Sequence, residues 1–273
     1  MHRWFLLFPI LLVAGCAGFF KVPQTEYRQK VQTLGVLPLL VDGNSVITHP
    51  DREAVMELLR RHSLNTHLRL IDILKEQKGY FDVRPVEGNP RELFRSLVIS
   101  DALRGTGADI YRHYGFNSRI ASELTEENVV DALLVIILHG EVRPAKRWDR
   151  RHLAYLEAPY NEILTTAAVV MPSGEVVWEY PGVTDGAFLF LQYPDFDEAF
   201  YNRSDEVRIR YISLAGLDRT LGEADRSLLG RRTLPGRYRE LFESLAAALK
   251  PGLLNPFKEP PTAPADVSPT KER

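Results

Sequence analysis

Residues Ala132 to Leu138 read ALLVIIL, the most hydrophobic stretch after the N-terminal segment. A run with no polar face suits a strand covered on both sides, and so sets a central strand over Val129–Val142. A second run, Val31 to Val41 (VQTLGVLPLLV), reads the same way, with Pro38 marking a bend or edge position. Ile163 to Met171 and Glu175 to Tyr180 flank Pro172-Ser173-Gly174, a hairpin with glycine where positive φ is easiest. Tyr80 to Val86 alternates as a strand.

Helical periodicity fills the spaces between. Val55, Leu58 and Leu59 form a stripe over Asp51–Arg61, and Leu70, Ile73 and Leu74 form one over Thr66–Gln77. The apolar phase slips at Ser63-Leu64-Asn65, so two helices are expected, the second ended by Gly79. Pro90–Ile99 reads as a short helix with proline in its first turn. Asp109–Thr125 and Glu206–Leu221 are expected to be helical, and Tyr238, Leu241, Phe242, Leu245 and Leu249 repeat at three and four up to Pro251-Gly252. Together these elements predict an α/β (α+β) fold. Its mixed sheet of about four to five strands carries a C-terminal hairpin and is flanked by helices, with a helical insertion at about 186–236.

The N-terminus has a different character. Met1-His2-Arg3 is basic, Trp4–Val13 is apolar, and Val13-Ala14-Gly15 leads into Cys16. A basic start, a short apolar core and small residues at the end mark a secretory signal. The run is about ten residues where a spanning helix needs about twenty, and Pro9 interrupts it. The Val13-Ala14-Gly15-Cys16 ending resembles the lipobox of bacterial lipoproteins. That resemblance implies cleavage before Cys16, a diacylglycerol on its thiol and an acyl group on its new amine. An ordinary cleaved signal or an uncleaved anchor are the alternatives. Cys16 is the single cysteine of the chain, so no internal disulfide competes for it. Ala17, rather than aspartate, follows it. By similarity to Gram-negative lipoprotein sorting, this implies the outer membrane, with the domain facing the periplasm.

The expected organisation is a signal peptide at 1–15, a lipidated N-terminus and tether at 16–29, one domain at 30–257 and a disordered Pro-rich tail at 258–273. The net charge of −2 gives no broad electrostatic case for nucleic acid.

The order of elements is similar to that of the CsgG-type group of envelope lipoproteins. That group includes the curli secretion channel and relatives in polysaccharide export and peptidoglycan-synthase activation. Its members share a domain related to the N-terminal domain of the Tol translocation protein. The likeness rests on Leu34-Gly35-Val36-Leu37-Pro38, the Leu70–Phe81–Val83 stretch, Ala132-Leu133-Leu134-Val135 and Val169–Trp178. The chain departs from it in the Asp51–Arg61 helix, the Tyr111–Glu127 segment and the Gly186–Gly236 insertion. Membrane-inserting hairpins could lie only in Trp148–Ile163 or Phe188–Tyr201, neither of which alternates cleanly, so no pore is expected.

Motifs for catalysis are absent: no G-x-S-x-G, H-E-x-x-H, P-loop or G-x-G-x-x-G after a strand. No catalytic residue, metal site or non-covalent cofactor is expected. His62 and His67 are five apart and do not share a helix face. Asp195-Phe196-Asp197-Glu198 reads as a helix start with Asp195 as its cap, against the alternative of an acidic cluster. Lys146-Arg147 with Arg150-Arg151-His152 reads as a solvated loop, or as a group facing anionic headgroups or glycan phosphates.

Phe188, Phe190, Tyr193, Phe196, Phe200 and Tyr201 crowd one segment. They form a docking surface if exposed together, or pack the insertion onto the sheet. The function expected is a non-enzymatic binding or assembly factor that holds an envelope partner, or copies of itself, at the membrane. The alternative is an envelope hydrolase whose site assembles only in three dimensions, with Asp195, Asp197 and His139 as first suspects.

Overall fold

The computed structural model describes residues 19–182, 186–203, 206–223 and 234–250. The elements in chain order are α1 (Gln24–Lys30), β1 (Thr33–Val36), β2 (Leu40–Val41), α2 (Arg52–Ser63), α3 (His67–Glu76), β3 (Asp82–Pro85), α4 (Pro90–Leu97) and β4 (Val98–Arg104). They continue with β5 (Tyr111–Phe116), α5 (Ser118–Asn128), β6 (Ala132–Trp148), β7 (Tyr155–Val170), β8 (Val176–Tyr180), β9 (Leu189–Phe190) and β10 (Gln192–Asp195). The last are α6 (Phe196–Tyr201), β11 (Arg208–Tyr211), α7 (Leu214–Gly222) and α8 (Gly236–Leu249).

The fold is α/β, around a seven-stranded mixed sheet in the order β3-β1-β6-β7-β8, with β2 also on β6 and β9 on β7. The β1–β3, β1–β6 and β2–β6 pairs are parallel, and β7 runs antiparallel to β6, β8 and β9. The expected count of four to five strands was short because β2 and β9 are two-residue strands with no periodicity to read. Pro38 lies in the short connection between β1 and β2.

The continuous apolar run works as expected, because β6 is covered on both faces. Leu134, Ile136 and Leu138 join one buried cluster with residues of α2, α3, α7 and α8, and with Tyr27 of α1. Leu133, Val135 and Ile137 join the other with Leu93 and Leu97 of α4, Tyr114 and Phe116 of β5, and Ala121 of α5. Each fully buried Leu or Ile contributes roughly 1.5–3 kcal/mol. The α2–α3 break falls at Asn65, which takes φ 59°. Gly174 turns the β7–β8 hairpin at φ 81°.

Several boundaries differ from the expectations. Residues 109–125 are not one helix: β5 pairs antiparallel with β4, and Asn117 then caps α5 by accepting from Arg119 N and Ile120 N. The helix from Pro90 gives way to β4 at Val98. Residues 206–221 likewise divide into β11, paired with β10, and α7, capped by Ser213. The insertion at 186–236 therefore carries strands as well as helices.

The central strand runs on to Trp148 and its partner begins at Tyr155, so β6 and β7 form a ladder from Leu133↔Val170 to Trp148↔Tyr155. Within the segment expected as a tether (16–29), the described residues from Phe19 on contact the sheet and carry α1. Phe20 bridges to Trp178, Glu179 N donates to Phe19 O, and Lys21 N donates to Val177 O, adding a short edge segment to β8. Residues 1–18, which hold the lipobox, and 251–273, which hold the expected tail, lie outside the described residues.

Candidate functional site

Past Leu138, β6 keeps its register but changes chemistry. His139, Glu141, Arg143 and Arg147 follow on the face that Leu133, Val135 and Ile137 began, since alternate residues share a face. This face meets the β4–β5 hairpin. Arg112 of β5 donates from Nε to Glu141 Oε1 at 2.6 Å, and its Nη1 meets Asp101. His139 Nδ1 lies 3.3 Å from Glu141 Oε1, and its Nε2 lies 3.1 Å from Thr166 Oγ1. Tyr114 donates to Asp42 Oδ2 at 2.9 Å. On β7, Glu162 accepts from Arg143 Nη2 at 2.7 Å and from Arg147 Nη2 at 2.6 Å.

Electrostatics follow from burial and pairing. Burial pushes the Glu141 carboxyl up, but His139 and Arg112 outweigh it and hold it below the usual carboxylate range. Burial lowers His139, against the pull of Glu141. Glu179 behaves as Glu141 does: burial raises it, and His113 with Lys21 brings it below the ordinary value. Such a seam ties layers together, because an unpaired charge there would be costly.

The residues suspected of hydrolytic chemistry do not share partners. The His139 side chain has no solvent exposure, and both its ring nitrogens are engaged. Asp195 caps α6, accepting from Glu198 N at 3.0 Å, as expected, and lies 3.5 Å from Arg210. Asp197 faces Arg150 at 3.6 Å. His62 binds Asp218 at 2.6 Å, and His67 is buried in α3. Two clefts stand out, of about 60 and 200 Å³, the first against Phe188 and Arg237, the second against Glu198, Asn202 and Arg208. Both are below the roughly 300–1,000 Å³ of ordinary ligand sites. Among the described residues no group of three His, Cys, Asp or Glu converges as a metal cage.

The aromatic segment divides between core and surface. Phe188 is 7% exposed, edge-on to Tyr238 at 5.2 Å, and so belongs to the core rather than to a docking face. Phe196 is half-buried at the start of α6. Phe190 lies under the Arg147 guanidinium at 4.2 Å, with one edge open. Tyr193 is exposed on β10, and Phe200 and Tyr201 are 72% and 82% exposed on α6. A short amphipathic helix thus turns two large rings outward, 5.9 Å apart, beside Tyr193's strand.

A second exposed group combines the basic residues noted in the sequence at 146–152 with apolar side chains that sequence reasoning did not group with them. The β6–β7 tip carries Trp148, Leu153 and Tyr155, all exposed, with Lys146 Nζ 3.6 Å above the Tyr155 ring. The signal was present in WDRRHLAY, where two aromatics bracket a basic turn.

No protein-family profile and no curated protein matches this chain. Among solved structures, a putative neuraminyllactose-binding hemagglutinin homolog from Helicobacter pylori is similar over 81% of this chain and 87% of its own, at 11% identity and a TM-score of 0.34. A likeness at that score carries no argument about function.

Proposed function

We propose that this chain is an outer-membrane lipoprotein, acylated on Cys16, that works without catalysis as a binding or assembly factor in the cell envelope. Its periplasmic domain holds a partner protein, or copies of itself, near the lipid surface. The reading rests above all on Val13-Ala14-Gly15-Cys16 following a short apolar run, three residues ahead of Phe19, which already pairs with the sheet. Confinement to a surface raises the effective concentration of partners. Phe200, Tyr201 and Tyr193 supply the docking rings, since large exposed aromatics give contact area at little entropic cost. Within the CsgG-type likeness, the assembly would serve secretion, polysaccharide export or cell-wall synthesis.

The test is fractionation of cells producing the full chain or its Cys16→Ser variant, followed by mild crosslinking and co-purification. The reading expects wild-type chain in the outer membrane with a crosslinked partner, and variant chain lost from that fraction. Equal distribution of both would overturn it.

A further inference from the structure

We propose that the β6–β7 hairpin tip is a second membrane contact, seated in the headgroup layer of an anionic bilayer. The identity of that bilayer rests on the attachment proposed above; the tip itself is argued from its own geometry.

Trp148 and Tyr155 form the last pair of the ladder, and six residues turn the chain between them. Asp149 fixes that turn. Its backbone N donates to Ala154 O at 2.9 Å, and its Oδ1 accepts from Leu153 N at 2.7 Å and Ala154 N at 3.2 Å. His152 supplies the left-handed corner at φ 56° and donates its N–H to Asp149 O. The turn's single acid is thereby folded inward, its side chain 11% exposed, and Arg151, 3.7 Å from it, is 71% exposed and Arg150 89%. Leu153 stands out at 75%.

The result is a finger with an aliphatic point, two amphipathic rings behind it and cations around them. Lys146 rides over both rings, at 3.6 Å from Tyr155 and 5.5 Å from Trp148. Arg150 has an acid nearby in Asp197, at 3.6 Å, but both are open to water and the pair is weak. Trp and Tyr favour the headgroup level, where Lys and Arg can keep their charges wet. Each cation near an anionic surface contributes about fivefold in partitioning. The tip cannot span a bilayer. Just behind its rings, Lys146 and the exposed Glu157 directly opposite it charge the outward face, where a spanning strand needs an unbroken apolar band.

Direction supports the same surface. The Phe19–Lys21 segment runs antiparallel to β8, which is antiparallel to β7. Read backward, Lys21 to Phe19 therefore runs toward the end of the sheet that carries the tip, and the apolar Trp4–Val13 run precedes Phe19 in sequence. Ala168, opposite Glu179, is 13 residues from Tyr155 along β7. At about 3.3 Å per residue the tip lies ~43 Å beyond Phe19 along the sheet.

The experiment uses full-length protein purified from membranes, with an environment-sensitive dye on L153C or, as control, on S173C at the β7–β8 turn. The chain is bound to vesicles of phosphatidylethanolamine with phosphatidylglycerol, or of phosphatidylcholine alone. Flotation reads the anchor and emission reads the tip. The proposal expects a blue shift and quenching by brominated lipid at L153C on anionic vesicles. The shift should weaken on phosphatidylcholine and with Arg150→Glu/Arg151→Glu, and be absent at S173C. Floating protein with an aqueous L153C spectrum would overturn the tip contact and leave the anchor standing. A spectrum that shifts only on adding a protein partner would also overturn it. Protein that neither floats nor shifts would sink both readings.

Discussion

Glu141 and Glu162 face each other across β6 and β7 as direct Cα partners, yet each carboxylate is held by different arginines, Arg112 on one side and Arg143 with Arg147 on the other. Two like charges opposite one another in a sheet repel, so this register depends on its cations. Removing one partner of a buried pair leaves a charge uncompensated. Glu162→Ala is expected to destabilise the domain by about 3–4 kcal/mol, measured by urea unfolding. Glu157→Ala, an exposed residue farther along β7, should change stability by less than about 0.5 kcal/mol.

Acid should unfold the protein in two stages. His139 has a folded pKa below its usual 6.5 because of burial, so the unfolded chain binds its proton more readily and stability falls as pH drops below that value. Glu141 and Glu179 are held below their usual 4.5 by His139 and Arg112, and by His113 and Lys21, against burial. Their contribution is present above 4.5 and is lost as pH falls through their folded values. Denaturation curves at a series of pH values should show both limbs. His139→Gln should flatten the one just below 6.5 and leave the lower one in place.

Gly140 has no room for a side chain. A Cβ there would sit 2.5 Å from Val46 O and 2.5 Å from Ile47 Cγ1, where the 45–47 segment crosses β6. Gly140→Ala should cost about 1–3 kcal/mol through overpacking, read as a lowered thermal midpoint.

The N-terminal segment should behave as part of the domain. Phe20 packs on Tyr27 at 4.9 Å between rings and bridges to Trp178. Phe20→Ala is expected to cost about 2 kcal/mol, less than a fully buried phenylalanine, and to raise hydrogen exchange at Glu179 N. Unchanged stability would return this segment to the role of a free spacer.

Phe200→Ala with Tyr201→Ala separates binding from folding. Both rings are exposed, so the midpoint of unfolding should stay within about 0.5 kcal/mol of wild type. Partner crosslinking should fall sharply, because such rings carry much of an interface's energy. Crosslinking at wild-type yield would move the docking face elsewhere.

Legibility in the sequence followed the source of each element's stability. The core of β6, the β7–β8 turn and the α2–α3 break were visible because apolar spacing or a turn residue alone specifies them. The outer part of β6–β7, residues 143–148 and 155–162, leaves little trace in hydropathy because Arg143 and Glu162 are buried through an ion pair between the strands. Within the helix expected over Asp109–Thr125, Arg112 and His113 obscure the strand Tyr111–Phe116, whose buried positions are Tyr114 and Phe116. At the proposed docking face the aromatic cluster and the Asp195 cap are legible in the sequence. It could not separate Phe188, taken by Tyr238 of a distant helix, from Phe200 and Tyr201.

Intact mass of the chain extracted from native membranes tests the central claim most directly. Attachment through Cys16 predicts a polypeptide beginning at that residue and heavier by a diacylglycerol and one acyl group. A free thiol at position 16, or a chain still starting at Met1, would contradict it.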